Sequence, residues 1–241
     1  MIITITLPTR ERPANLMRCV RALFETADEP ESVEVICAVD DDDEMSESAL
    51  YRLENKYFEN FKWTTGPRIP YLSQLHNHCL SLANRNYEIA GFWGDDCVME
   101  TKGWDTIVRK AFLKYDDRIL LCGGSDGVNA ETICHGFISR EWITVTDGNL
   151  MPSNYMADWS DSHLGLVAKA LGRHERLSFF NRHLHPSVYT EIRPDQTYID
   201  KTNRGNMQNT GGLFYSAEMV DYRQKEIEKL QSYINNFGKV A

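Results

Sequence analysis

The chain has no Cys-x-x-Cys pair, no apolar run of membrane-spanning length and no surplus of positive charge. Each absence excludes something. The six cysteines (Cys19, Cys37, Cys79, Cys97, Cys122, Cys134) are scattered, and four lie in or beside apolar runs, where a free thiol packs as a small hydrophobe. That pattern argues against a disulfide frame or a structural zinc site and for a reducing compartment. No stretch approaches the ~20 apolar residues that a bilayer requires, so no membrane span is expected. The N-terminus reads as a strand followed at once by Arg10 and Arg12, not as a signal peptide, and the expected location is cytoplasmic. A formal net charge of -9 weighs against a protein that grips nucleic acid through its phosphates. No repeat or low-complexity linker divides the 241 residues, and 42% hydrophobic with 25% charged residues is a globular composition.

The charge is unevenly spread. From Asp28 to Glu47 there are ten acidic residues and no Lys or Arg, whereas Lys169 to Arg204 holds seven Lys/Arg against four Asp/Glu. The second stretch leaves room for a local basic patch, although a solvated face is the plainer reading of each charge.

Residues 2–7 form a β-branched run stopped by Pro8, and Asn15–Glu25 carries apolar residues at helical spacing. A second buried strand, 33–39, ends in four aspartates. A helix over Ser46–Phe58, a short strand at Phe61–Thr64 and a turn at Gly66-Pro67 follow. Tyr71–Ala83 and Trp104–Tyr115 read as helices, and Glu88–Trp93 and Arg118–Cys122 as strands. This alternation predicts an α/β fold with a largely parallel sheet flanked by helices. Beyond Gly123-Gly124 the pattern loosens. Residues 132–138 and 142–146 suggest a hairpin, and Asp161–Leu171 suggests a helix capped by Ser160 or Asp161 and ended by Gly172. Residues 179–215 read as mostly irregular, which suits a substrate-covering segment. Ala217–Phe237 reads as a long helix whose apolar stripe packs on the body, with a homodimer contact as the alternative. The expected division is one catalytic domain over 1–215, with halves 1–122 and 123–215, and a C-terminal helix over 216–241.

Ligands of such sheets sit beyond the carboxyl ends of the strands. Three predicted strands end there in polar groups: Pro8-Thr9-Arg10, Asp40–Asp43 and Gly94-Asp95-Asp96. Adjacent carboxylates opening into a cleft repel one another, and a hard divalent cation, Mg²⁺ or Mn²⁺, relieves the repulsion and holds a diphosphate. Asp40 is placed to accept hydrogen bonds from a base or ribose, while the later aspartates face solvent or cap the next helix. His183 and His185, two residues apart before Pro186, share one side if the segment is extended. Asp158 and Asp161 flank Trp159 and are candidates for a general base.

Together these landmarks resemble the family 2-type glycosyltransferases of the GT-A fold. Leu7-Pro8-Thr9-Arg10-Glu11-Arg12-Pro13 resembles that family's opening strand and P-T-x-x-R turn, and Val33–Asp43 its second strand, with the nucleoside aspartate at Asp40. Asn77 resembles the asparagine of the family's R-N-x-x helix, with His76 in place of the arginine. Ile89–Asp96 followed by Gly103-Trp104-Asp105 resembles the D-x-D strand and its G-W-D sequel, and Asp161, Leu164 and Gly172 are spaced like the E-D helix. Gly94 stands where the first D-x-D aspartate belongs, and Ser160 where the E-D glutamate belongs.

The resemblance implies a metal-dependent transfer of sugar from a nucleotide-diphosphate sugar, a UDP-sugar first among them, with inversion at the anomeric carbon. It implies donor contacts at Pro8, Thr9, Arg10, Arg12, Asp40, Asn77 and Asp95, and a metal on Asp96, Asp95 and a late histidine, His185 or His183. Asp161, with Asp158 as fallback, is the implied base. The acceptor stays open: a glycan, a small molecule or modified nucleic acid. A nucleotidyltransferase is disfavoured because residues 8–15 contain no glycine for a phosphate loop. An inactive nucleotide-sugar or carbohydrate-binding protein remains the non-enzymatic alternative.

Overall fold

The computed structural model describes residues 1–189 and 192–238. It begins with strand β1 (Ile2–Thr9), whose alternation splits two buried faces. Ile3, Ile5 and Leu7 enter one core, while the Thr4 and Thr6 hydroxyls are satisfied on the other face by Glu34 Oε2 (2.8 Å) and by the Gly91 carbonyl (2.9 Å). Helix α1 (Pro13–Thr26) opens with a proline at its first turn and buries Leu16, Cys19, Val20 and Leu23. Strand β2 (Val33–Asp40) is buried along its whole length and runs parallel to β1. Asp43 caps helix α2 (Glu44–Tyr57), its carboxylate accepting from the Ser46 backbone N–H at 3.1 Å. Strand β3 (Phe61–Gly66), helix α3 (Leu72–Ser81) and strand β4 (Tyr87–Phe92) complete a parallel half-sheet ordered β3-β2-β1-β4.

The second half is mixed. Strand β5 (Cys97–Met99) precedes helix α4 (Trp104–Phe112), and β6 (Leu121–Ser125) precedes β7 (Gly136–Ser139). Helix α5 (Arg140–Val145) and helix α6 (Ser160–Ala170) lead to β8 (His174–His183). The sheet continues β4-β7-β6-β8-β5, with β7 antiparallel to both neighbours. Helices α1, α2 and α4 cover one face; α3, α5, α6 and the final helix α9 (Ala217–Asn236) pack on the other. Between β8 and α9 lie α7 (Gln196–Gln208) and α8 (Thr210–Phe214).

Several boundaries differ from the sequence reading. No hairpin joins 132–138 to 142–146. The first segment yields β7, but the second is α5, because the Ser139 hydroxyl caps it through the Trp142 N–H (3.0 Å) and Trp142 and Ile143 are drawn into the core. The strand expected at Arg118–Cys122 runs instead over Leu121–Ser125. The region 179–215 is not irregular: it contains the end of β8, α7 and α8, while residues 190 and 191 lie outside the described part. Neither Ser160 nor Asp161 caps α6, since the cap position is Trp159, in a left-handed conformation. In α9, Met219 and Leu230 are fully buried and Ile227 and Ile234 partly so, which packs the helix on the body. Among the described residues no helix is long and apolar enough to cross a membrane.

Candidate active site

A cavity of about 390 Å³ opens at the carboxyl ends of β1, β2 and β4. Pro8, Thr9, Arg10, Arg12, Asp40, Asp95, Asp96, Asp158, Asp161, His183 and His185 all line it. Asn77 does not. Its carboxamide is turned away, donating to the Met151 carbonyl (2.8 Å) and Ser153 Oγ (3.1 Å) and accepting from the Met151 N–H (3.0 Å). It fastens the 151–153 segment to α3. His76, one residue earlier, does reach the cavity wall and bonds Thr6 Oγ1 through Nδ1 at 2.7 Å.

On the β2 side, Asp40 is 7% exposed and takes a hydrogen bond from Arg10 Nη1 at 2.8 Å. Burial raises its carboxyl above the usual range, against the pull of Arg10 and then Arg68. Arg10 also pairs with Asp42. At the end of β4, Thr9 Oγ1 donates to Asp95 Oδ2 (2.6 Å) and Arg12 Nη1 to Asp95 Oδ1 (3.0 Å). Burial, then the adjacent Asp96 charge, push Asp95 up to about 6 against those two partners. Arg12 turns its other edge to Asp195, with two hydrogen bonds of 2.7 Å, so it joins the acidic cluster to the start of α7.

Asp96 stands among histidines. His183 Nε2 lies 3.5 Å from Asp96 Oδ1, and the His135 and His183 rings meet edge to face at 4.7 Å. Burial opposes ionisation of Asp96, but the His183 contact and the Arg12 charge hold its carboxyl well below the usual range. One ligand atom each from Asp96, His135 and His183 fall within 4.8 Å of one another. His183 is set by the backbone: its N–H donates to the Asp126 carbonyl (3.1 Å), and the next N–H, Leu184, to the Asp96 carbonyl (2.8 Å). The Asp126 carboxylate lies 4.0 Å from the His183 Nδ1, too far for a hydrogen bond.

These residues fit a divalent cation. One carboxylate oxygen and two imidazole nitrogens so close together are a donor set for such an ion, and Gly94 keeps the space beside them clear. A Cβ at Gly94 would lie 2.8 Å from Asp96 Oδ1 and 3.1 Å from His135 Nε2. Where an aspartate was expected, the chain therefore has a gap that the His135 ring fills from the approach to β7. His135 escaped the sequence reading because nothing near it in the chain marks it; the strand order alone brings it in. His185 stands off from this cluster. Its Nδ1 accepts from the Ser187 N–H (3.2 Å), and Nε2 faces Tyr198 OH at 3.3 Å.

On the opposite wall, Asp161 lies in the first turn of α6 and takes the Ser162 N–H on Oδ1 at 2.7 Å. Burial raises its carboxyl above the usual range. Asp158 is more exposed and is paired with Lys201 at 2.9 Å.

A scan of protein-family models and a search of curated sequences both find no match. Solved structures do match over the whole chain. PcManGT of Pyrobaculum calidifontis, a mannosyltransferase in complex with GDP-Man and Mn²⁺, is 12% identical at a TM-score of 0.62, covering 99% of this chain and 75% of that one. S. aureus TarS is 13% identical at a TM-score of 0.57, covering 99% of this chain, and its 1–349 fragment has been solved with UDP and with UDP-GlcNAc. The chain has a GT-A fold. A third match on that fold, glucosyl-3-phosphoglycerate synthase of Mycobacterium tuberculosis with Mn²⁺ and UDP, is 12% identical at a TM-score of 0.55, covering 97% of this chain and 80% of that one. This chain spans 44% of the length of TarS.

Proposed function

We propose that the chain is a glycosyltransferase that moves a sugar from a nucleotide-diphosphate sugar to an acceptor hydroxyl. The observation that carries the reading is the convergence, in one cavity of a GT-A fold, of Asp40, Asp95 and the Asp96–His135–His183 cluster. Asp40 and the Arg10 beside it receive the nucleoside. Asp95, held by Thr9 and Arg12, orients the ribose and the Arg12 side chain. Asp96, His135 and His183 hold a divalent cation, which when bound supplies charge neutralisation for the diphosphate leaving group. One carboxylate with two imidazoles favours Mn²⁺ or a later transition ion over Mg²⁺, which prefers oxygen donors.

Asp161 is the general base. Its raised carboxyl is closer to operating pH than a free aspartate, and the residue lines the cavity. The acceptor O–H gives its proton to Asp161 as the oxygen bonds to the anomeric carbon. The bond from that carbon to the diphosphate oxygen breaks, and the nucleoside diphosphate leaves with the electron pair. A single displacement of this kind inverts the configuration. Asp158 is the poorer candidate, since Lys201 already occupies it.

The test is release of nucleoside diphosphate from UDP-, GDP- and dTDP-sugars with Mn²⁺. Turnover of at least one donor, lost on Asp96→Asn, supports the reading. Donor binding without any turnover instead points to the inactive binding protein.

A further inference from the structure

Helix α7 lies across the mouth of the main cavity, and one stripe of it faces inwards. Thr197, Lys201 and Arg204 stand at i, i+4 and i+7, on a single side of the helix, and all three line the cavity. Two of them are occupied. The Thr197 hydroxyl donates to the Arg10 carbonyl (2.8 Å), and Lys201 pairs with Asp158 (2.9 Å). The other cations of the lining are also held by carboxylates, Arg10 by Asp40 and Asp42, and Arg12 by Asp95 and Asp195. Arg204 differs. Among the described residues no carboxylate pairs with its guanidinium, and its Nε is buried without a hydrogen-bond partner.

That arrangement is costly to the folded chain. An arginine does not shed its proton, so a half-buried guanidinium with no counter-charge keeps its desolvation penalty. Burial, then the neighbouring Arg68 charge, lower its pKa from the ordinary arginine value, with Asp200 and Asp40 opposing. A charged group left unpaired in the wall of a cleft is the pattern of a group whose partner is the ligand.

The preceding turn of α7 sets where Arg204 stands. Asp200, at i−4, receives Arg68 Nη2 at 2.8 Å, and Arg68 Nε lies 3.7 Å from Asp40 Oδ2. Arg204 is thus on the Asp40 side of the cavity, the nucleotide side in the reading above, whereas Lys201 is turned to Asp158. A nucleotide sugar has its negative charge on the two phosphates. We infer that Arg204 binds the diphosphate of the donor from α7, its fork of N–H groups set on phosphoryl oxygens. The anion site rests on the unpaired guanidinium. That its anion is a nucleoside diphosphate rests on the glycosyltransferase reading.

The test compares binding of UDP, GDP and dTDP, each with Mn²⁺, with binding of uridine, guanosine and thymidine, in the full chain and in Arg204→Gln and Arg204→Lys. The Gln variant should weaken the best-bound diphosphate by about 10–100-fold and leave its nucleoside unchanged. The Lys variant, which keeps the charge without the fork, should fall between, and it keeps the test valid if the Gln variant fails to fold. Retained nucleoside binding also reports that the pocket is intact. The inference is overturned if the diphosphate binds both variants as tightly as the wild type. It is equally overturned if nucleoside and diphosphate weaken together, which would put Arg204 on the base or in the packing of the wall. Either result, with diphosphate binding intact in the wild type, leaves the transferase reading standing. If the wild type binds no nucleoside diphosphate but binds inorganic pyrophosphate, and Arg204→Gln loses it, the anion site stands and the transferase reading falls.

Discussion

At Gly94 the absence of a side chain is what lets Asp96 and His135 approach one another, because a single methyl group there would crowd both. Gly94→Ala is therefore expected to lower Mn²⁺ affinity by roughly 10–100-fold, the scale of damage to a ligand's immediate support, while the chain still folds. Calorimetric titration of Mn²⁺ checks this, and unchanged affinity would contradict the cluster. Asp161→Asn should keep donor binding and lose transfer by about 10²–10⁴-fold, as measured by product formation at saturating donor. His76 makes a prediction of another kind. Burial drives its imidazole down to about 3, so it is neutral in the folded chain, whereas the unfolded chain protonates it near 6.5. The unfolded state then binds the extra proton, and stability falls as pH drops from about 6.5 towards 3, by about 1.4 kcal/mol per unit from this group. His76→Gln should flatten that acid limb in denaturant titrations; an unaltered slope would show that His76 does not contribute. Thr9 and Asp40 were legible in the sequence because each ends a strand, and Asp96 because it lies in the turn that follows one. His135 was not, and the spacing of His183 and His185 left open which of them approaches Asp96, because their roles depend on strand pairing and on the local Ser187 and Tyr198 contacts.

Helix α7 shows how tertiary contacts override local preference. Residues 196–208 are rich in Thr, Asn and Gln, contain Gly205 and bury little, so nothing in their pattern announces a helix. The Asp195 cap on the Tyr198 N–H (2.9 Å), the paired Arg12–Asp195 bonds, Thr197 Oγ1 on the Arg10 carbonyl (2.8 Å) and Arg68 on Asp200 (2.8 Å) hold it across the cavity mouth. Asp195→Ala removes both the cap, worth about 1 kcal/mol, and the Arg12 partner. Limited proteolysis should then cut within 196–208 faster than in the wild type, with the rest of the chain still resistant. Equal cleavage would mean that the latch carries no weight. In α5 the β-branched run Ile143–Thr146 favours a strand, but the Ser139 cap and burial of Trp142 decide for a helix. The first four strands and their helices were readable because hydrophobic period and turn residues agree there.

At the scale of the molecule, one sheet carries two kinds of work. Its parallel half presents Thr9 and Asp40 from strand ends and Asp95 from the turn after β4, and its mixed half brings His135, just before β7, and His183, at the end of β8, to Asp96. The likeness to solved GT-A structures extends over nearly the whole chain at 11–13% identity, so the architecture persists where little sequence does. The central claim is that this cavity binds a nucleotide-diphosphate sugar through a cation on the Asp96 cluster. It is tested most directly by thermal unfolding of the wild type and Asp96→Asn with UDP-, GDP- and dTDP-sugars, with and without Mn²⁺. A donor at about 100 times its Kd should add about 2.7 kcal/mol, roughly a 5–10 °C rise for a chain of this size, in the wild type with Mn²⁺ and not in the variant. No rise with any donor, or the same rise without Mn²⁺ and in Asp96→Asn, would contradict it.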